Sequence, residues 1–355
     1  MEIDFDSRVK HVIDSFASRC LPAVIIKNPS NINYLTGFSG SNGCLLITFQ
    51  KKYFFTDSRY LEDSKKQFKS WIVQRYSKDF HEIVDKLYDL SIVKVGYESK
   101  TLTQFDFENL SKNTLEIDFV KADGLIEEIR SVKDSCEIIQ IEKSIKVADL
   151  TMEWILSQNL EGMTEIEVSR MIKKQFLELG ADDVAFSSIV ATGLNSAVPH
   201  HYPDDSIIQS GDCLVIDMGA EIGNYRSDIT RTTFIGEKPG KFDEIYDLVL
   251  QAQKTGISSI TEGITGGQID QIVRSKIEEI SPGFSKYFIT GLGHGVGLDI
   301  HEYPMLIPNS SDKIYQNSVF TIEPGVYLPE WGGIRIEDMV LFKDNQVSVL
   351  TKSKK

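Results

Sequence analysis

The stretch LVIDMGAEIGNYRSDITRTTF, residues 214–234, decides how the chain is read. Two β-favouring runs flank a turn sequence, and each comes with an aspartate, Asp217 inside the first and Asp228 at the start of the second. Buried carboxylates are costly unless positive charge or hydrogen-bond donors meet them. The two acids are symmetric about the Ile222–Gly223 boundary, so a two- or four-residue loop there predicts antiparallel strands with Asp217 directly opposite Asp228. Directly opposite residues have Cβ atoms roughly 4.5–5.5 Å apart on one face. Two carboxylates that close call for a cation or a shared proton. The plainer reading makes one aspartate a turn residue and the other a solvated edge residue.

The chain has 355 residues, 41% of them hydrophobic, enough for a sizeable core. Its length favours about two domains. A net charge of −14 argues against nucleic acid and anionic membrane as partners. The opening MEIDFDSRVK is followed by no apolar signal core, and no uninterrupted apolar stretch approaches the ~20 residues of a membrane span. Cys20, Cys44, Cys136 and Cys213 form no CxxC pair, which predicts free thiols in a reducing, cytoplasmic setting.

Short apolar runs at 22–27, 43–49, 53–57 and 92–98 read as buried strands, with helices near 58–69 and 79–90 between them. The first domain is therefore expected to be α/β and to cover 1–127, ending in the charged, turn-rich KADGLIEEIRSVKDS. The second, 128–355, opens on a helix from Asp134 in which Ile138, Ile141, Ile145, Ala148, Met152 and Ile155 recur at helical spacing. Thr164 and Glu167 predict a capping box at the next helix start, and two more helices are expected near 241–259 and 268–280. Strand pairs 212–219 with 225–235 and 318–323 with 334–342 make this domain α+β with antiparallel sheet.

Two later segments supply further donors. TGLGHGVGLDIHE (290–302) places His294 among alternating glycines, with His301 seven residues on. The glycines fail the GxGxxG spacing of a phosphate loop, because Val296 stands where the last glycine would be. They suit a backbone that approaches a site closely while the imidazole reaches inward. FTIEPGVYLPEWGGIRIED (320–338) ends one apolar strand with Glu323 and carries Glu337 in the next. Simple alternation would instead leave Arg335 and Glu337 facing water. Four carboxylates, Asp217, Asp228, Glu323 and Glu337, are balanced in formal charge by two divalent cations. A cation pair acidifies bound water and polarises a carbonyl, which favours hydrolysis. Oxygen donors with one imidazole suit Mn²⁺ first, with Co²⁺ or Zn²⁺ as alternatives.

The order Asp, Asp, His, Glu, Glu in these motifs resembles the pita-bread dinuclear metallopeptidases, which include aminopeptidase P, prolidase and methionine aminopeptidase. The resemblance spans about residues 130–350. The segments YLTGFSGSNGCLLIT and FFTDSRY are similar to the N-terminal domain of the aminopeptidase P and prolidase branch. It implies a creatinase-type α/β domain followed by a pita-bread (creatinase/aminopeptidase-like) catalytic domain. It also implies that Asp217, Asp228, His294, Glu323 and Glu337 bind two metals, with Asp228 and Glu337 bridging, and that Glu323 is the general base toward a bridging hydroxide.

His200 in NSAVPHH and His301 match the positions that contact the substrate carbonyl or the tetrahedral intermediate, and Arg335 matches an arginine near the active site, which implies that it positions the substrate or supports a metal ligand. His201 matches no role. Thr290 stands where the proline-specific branch commonly has another histidine. The implied activity is an Xaa-Pro aminopeptidase acting on proline-containing peptides, with a dipeptide-specific prolidase as the alternative. A non-catalytic peptide-binding relative fits less well, because all five donor positions are kept. A homodimer is the family expectation.

Overall fold

The four apolar runs expected as strands in the first third lie in one sheet in the computed structural model, which describes residues 3–77, 79–112, 114 and 116–355. Ala23–Ile26, Gly43–Thr48 and Lys52–Thr56 pair antiparallel, and Lys94–Tyr97 joins Ala23–Ile26 in parallel. Ile72–Arg75 and Asp118–Lys121 complete the six-stranded sheet at its two edges. Both edge strands leave their end residues exposed and contain no long apolar run, so periodicity alone does not reveal them. The helices expected near 58–69 and 79–90 are Leu61–Gln67 and His81–Asp89. Phe5–Ser18, Pro29–Thr36, Gln104–Ser111 and the single turn Glu127–Arg130 add to them. The chain divides into two compact units, Met1–Arg130 and Ser131–Lys355.

In the second unit the helix Ser135–Leu156 starts from a capping box made by Asp134 and Glu137, and Glu165–Glu178 starts from the one made by Thr164 and Glu167. Ala148, Met152 and Ile155 of the first and Val168, Ile172 and Phe176 of the second pack on Leu214, Ile216 and Met218 of the strand Cys213–Met218. The arrangement recurs further along. Helices Phe242–Ser258 and Gly266–Ile280 bury Leu248, Val249, Ile269 and Val273 against Phe320 and Ile322 of the strand Ser318–Ile322. Thr265 caps the second helix of this pair and bridges to Lys313, as Thr164 bridges to Ile207.

Side chains alternate across a strand. Residues 214, 216 and 218 face helices, so Asp217 faces the other way; with 320 and 322 committed to helices, so does Glu323. The two sheets, both within the second unit, thus each present an acid on the helix-free face. Among the described residues no helix is long and apolar enough to cross a membrane, and the four cysteines are free.

The register differs from the expectation of facing aspartates. Glu221 pairs with Arg226 and Ile222 with Tyr225, so the turn is Gly223–Asn224, both at positive φ, and the hairpin centre lies one residue later than the Ile222–Gly223 boundary. Asp217 consequently faces Thr230, and Asp228 lies just before the strand Ile229–Phe234. Asp228 and Thr230 share a face, which makes Asp217 and Asp228 diagonal neighbours, still within side-chain reach. The second expected pair also divides. Ser318–Ile322 pairs with Asp338–Lys343, whereas Gly332–Arg335 pairs with Gly325–Leu328. Glu337 sits in the break between those strands rather than inside one.

Within the first hairpin, Gly219 packs so close to Ser227 that a Cβ there would stand 1.9 Å from the Ser227 carbonyl oxygen. Gly219→Ala should therefore destabilise the second unit by about 1–3 kcal/mol, the usual range for overpacking. Thermal unfolding monitored in the metal-free protein checks this, and an unchanged midpoint would contradict the close approach.

Candidate metal centre and cleft

Each candidate donor lies in a strand or beside the end of one. Asp217 comes from Cys213–Met218 and Asp228 from the residue before Ile229–Phe234. His294 is the middle of Gly293–Gly295, Glu323 follows Ser318–Ile322, and Glu337 precedes Asp338–Lys343. Glycines flank His294 because a Cβ at 293 would meet the Thr321 carbonyl oxygen at 2.1 Å and one at 295 the Tyr303 carbonyl oxygen at 2.2 Å. The imidazole is thereby drawn in against two backbones.

Asp228, His294 and Glu337 each offer one ligand atom, all within 4.8 Å of one another, and all three residues are buried. His294 Nε2 lies 3.2 Å from Glu323 Oε1 and 3.6 Å from Asp228 Oδ2. Its Nδ1 lies 3.2 Å from the Gly295 carbonyl oxygen. A proton on Nδ1 donated there frees the Nε2 lone pair for a cation; without one, Nε2 carries a proton toward Glu323. Asp217 Oδ2 accepts from Arg335 Nη2 at 2.7 Å, and Asp217 and Asp228 lie within hydrogen-bonding reach of each other.

Three buried carboxylate oxygens in this cluster, Asp217 Oδ1, Asp228 Oδ1 and Glu337 Oε1, have no hydrogen-bond partner. Burial, and then the charges of Glu337, Asp217 and Glu323, push Asp228 well above the usual carboxylate range. Burial likewise raises Glu337, with Glu323 and Asp217 adding to it. Burial also raises Asp217, against the opposing pull of Arg335. Glu323 goes the other way. Burial works against its charge, but the hydrogen bond and charge of His294 outweigh it and hold the carboxyl below its ordinary value. His294 is correspondingly raised despite its burial. Orphaned hard oxygen donors with one imidazole, in excess of the local positive charge, are the donor set that fits divalent cations.

A cleft of about 850 Å³ opens over this cluster and is lined by Asp217, Asp228, His294 and Glu323 together with His200, His301, Tyr327 and Arg335. His301 is exposed to the cleft, with its ring tilted 74° to that of His294 and the centroids 4.1 Å apart. Burial, and then the charge of His294, bring His301 down to about 4. It is neutral at neutral pH and keeps one N–H to donate. His200 is exposed at the cleft wall. Arg335 is buried rather than facing water, and its guanidinium donates to Asp217, Thr230 Oγ1, Tyr327 Oη and the Pro199 carbonyl. Thr290 also lines the cleft, with its hydroxyl buried and unpartnered.

The structure adds residues that the motifs did not single out. Thr230 Oγ1 donates to Glu337 Oε2 at 2.7 Å while accepting from Arg335 Nε at 3.1 Å. Thr321 Oγ1 donates to Glu323 Oε1 at 3.0 Å and accepts the His294 N–H at 3.1 Å. Both threonines stand two positions from a candidate acid, on the same strand face, and that spacing is the signal by which they could have been found.

A family model described as metallopeptidase family M24 matches residues 139–344, and one for the creatinase/prolidase N-terminal domain matches residues 8–132. An Xaa-Pro dipeptidase from Pyrococcus horikoshii is 35% identical over 99% of this chain and 98% of its own. Among solved structures, an Xaa-Pro dipeptidase from Bacillus anthracis superposes with a TM-score of 0.93 at 34% identity, covering 99% of both chains. An X-Pro aminopeptidase from Thermotoga maritima MSB8 superposes with a TM-score of 0.87 at 32% identity, covering 97% of both.

The raised acids have a consequence for stability. Asp228 and Glu337 take up protons in the folded, metal-free protein at a pH where the unfolded chain has already lost them. Their contribution to stability is therefore full below the ordinary carboxylate pKa, about 4, and is lost as pH rises above it. Asp228→Asn should raise the metal-free melting temperature near neutral pH by about 2–4 °C, the shift that 1 kcal/mol produces in a domain of this size. The difference should shrink toward acid pH, and a lower neutral-pH midpoint in the variant would contradict the charge argument.

Proposed function

The chain belongs to metallopeptidase family M24 and has its pita-bread fold behind a creatinase/prolidase-type N-terminal domain; from that membership we propose that it hydrolyses the bond between an N-terminal residue and a following proline. The observation that carries the reading is the convergence of Asp228, His294 and Glu337 beneath a cleft whose walls hold two further histidines of the expected set. The names of the relatives support the proline preference. A bond to proline has no N–H on its leaving side and a fixed φ, so it needs a dedicated pocket.

In this reading Asp217, Asp228, His294, Glu323 and Glu337 would hold two divalent ions, Mn²⁺ before Co²⁺ or Zn²⁺. Bound there, the ions supply Lewis-acid polarisation of the scissile carbonyl and acidify a water toward neutral pH. Glu323 is suited to the proton transfers because it lies at the cleft and Thr321 Oγ1 fixes its orientation. It takes the proton of the attacking water and passes it to the departing proline nitrogen. His200 and His301 donate N–H groups to the oxyanion that develops on the carbonyl. Arg335 orients Asp217 and, through Pro199, the wall that carries His200.

Between a peptide and a dipeptide substrate, the cleft lining favours the longer one. Among the described residues that line it, Arg335 is the one arginine and there is no lysine. Its guanidinium is already engaged by Asp217, Thr230, Tyr327 and Pro199. A free carboxylate on the proline of a dipeptide meets no uncommitted cation here, whereas a continuing chain requires none. The relatives named as dipeptidases favour the second reading, a prolidase.

The deciding experiment compares Xaa-Pro-Yaa tripeptides, Xaa-Pro dipeptides and proline-free controls under each of the three metals. Tripeptides should show the higher kcat/KM, and controls no cleavage. Dipeptides cleaved faster than tripeptides would select the prolidase reading, and equal cleavage of proline-free controls would reject the proline preference. His200→Ala should lower kcat by about 10²-fold, the loss typical of removing one oxyanion donor, with bound metal unchanged. Loss of metal in that variant would mean that His200 is a ligand instead.

A further inference from the structure

Outside the acid cluster, the described residues contain one more group with the spacing of a metal site, Glu165, His201 and Asp204. Its buried carboxylate, that of Glu165, is fully engaged. Glu165 is the first residue of the helix Glu165–Glu178 and is completely buried. Its Oε1 accepts the Thr192 N–H at 2.8 Å and Asn195 Nδ2 at 3.0 Å. Its Oε2 accepts from His201 Nε2 at 2.6 Å and from the Asp204 N–H at 3.1 Å. Two bonds on each oxygen leave no orphan for a cation, in contrast to the acids of the main cluster.

All four bonds go to one segment, 192–204, and they hold it at both ends. The middle of that segment carries Pro199, whose carbonyl accepts from Arg335, and His200, which stands in the cleft wall. We propose that Glu165, acting through His201, is a positioning residue that sets His200 against the substrate carbonyl. The inference rests on the peptidase reading above. It assigns a purpose to His201, which fits no motif, and to a buried carboxylate that never enters the cleft. His201 donates through Nε2, so a side chain with an N–H donor at similar reach can replace it, and an apolar one cannot.

The test uses the full-length, metal-loaded protein. Glu165→Gln turns one acceptor into a donor facing donors, and should raise amide hydrogen exchange across 192–204. It should also lower kcat by about tenfold or more, in line with the cost of misplacing a reacting group, while KM changes less and metal content holds. In a His200→Ala background the same substitution should cost less than about twofold, because two residues acting through one effect are not additive. Unchanged exchange over 192–204, or an equal loss with and without His200, would overturn the proposal. If Glu165→Gln does not fold, the pair His201→Ala and His201→Gln decides instead: glutamine recovering most of the activity that alanine loses supports the clamp, and equal rates overturn it. An enzyme that cleaves no Xaa-Pro peptide would sink the peptidase reading, and the exchange measurement would still judge the clamp.

Discussion

Four carboxylates, Asp217, Asp228, Glu323 and Glu337, meet inside the second unit with one guanidinium and one imidazole as their nearest positive partners. Three of their oxygens are buried without a hydrogen bond. An apolar interior does not tolerate that much like charge, so these acids are either partly protonated or compensated by cations. Everything else in the domain is arranged around this constraint. Arg335 neutralises the acid on the first sheet, Asp217, and His294 neutralises the one at the end of the second, Glu323. Asp228 and Glu337 retain the deficit, and they are the two that burial and neighbouring charge raise furthest above the ordinary carboxylate range.

The scaffold tolerates this arrangement because the stabilising work is done on the other side of each sheet. Helix pairs at 135–178 and 242–280 cover the apolar faces of Cys213–Met218 and Ser318–Ile322, and strand alternation turns the acids away from them. A hydroxyl then couples the halves: Thr230, opposite Asp217, donates to Glu337 and receives from Arg335. Glu337 also donates its N–H to the Thr230 carbonyl at 3.2 Å, so backbone and side chain fix the same junction.

Much of this is legible in the sequence, for reasons that differ from one residue to the next. Asp217 and Glu323 are visible because a carboxylate closes or interrupts an apolar run. The helices from Asp134 and Thr164 are visible because their capping boxes and periodicity agree. The register of the first hairpin is not, because symmetry about two acids is a weaker guide than turn chemistry; Gly223–Asn224 accepts positive φ and moves the centre by one residue. Arg335 reads as a surface residue by alternation, and only the packing of Gly332–Arg335 beside Asp217 and Tyr327 buries it. His201 carries no sequence signal, since its partner Glu165 lies 36 positions away on another element. The edge strands of the first unit escape notice because half-exposed strands need no apolar run.

If side chains spread from Asp217 to Glu337 form one cation-binding cage, metal added to the protein must settle among them. The most direct measurement is the anomalous difference map of a crystal grown with Mn²⁺. Two peaks are expected in the cleft floor, both in contact with Asp228 and Glu337, one also with Asp217 and the other with His294 and Glu323. A single peak, or two peaks that leave Asp228 or Glu337 untouched, would contradict that arrangement.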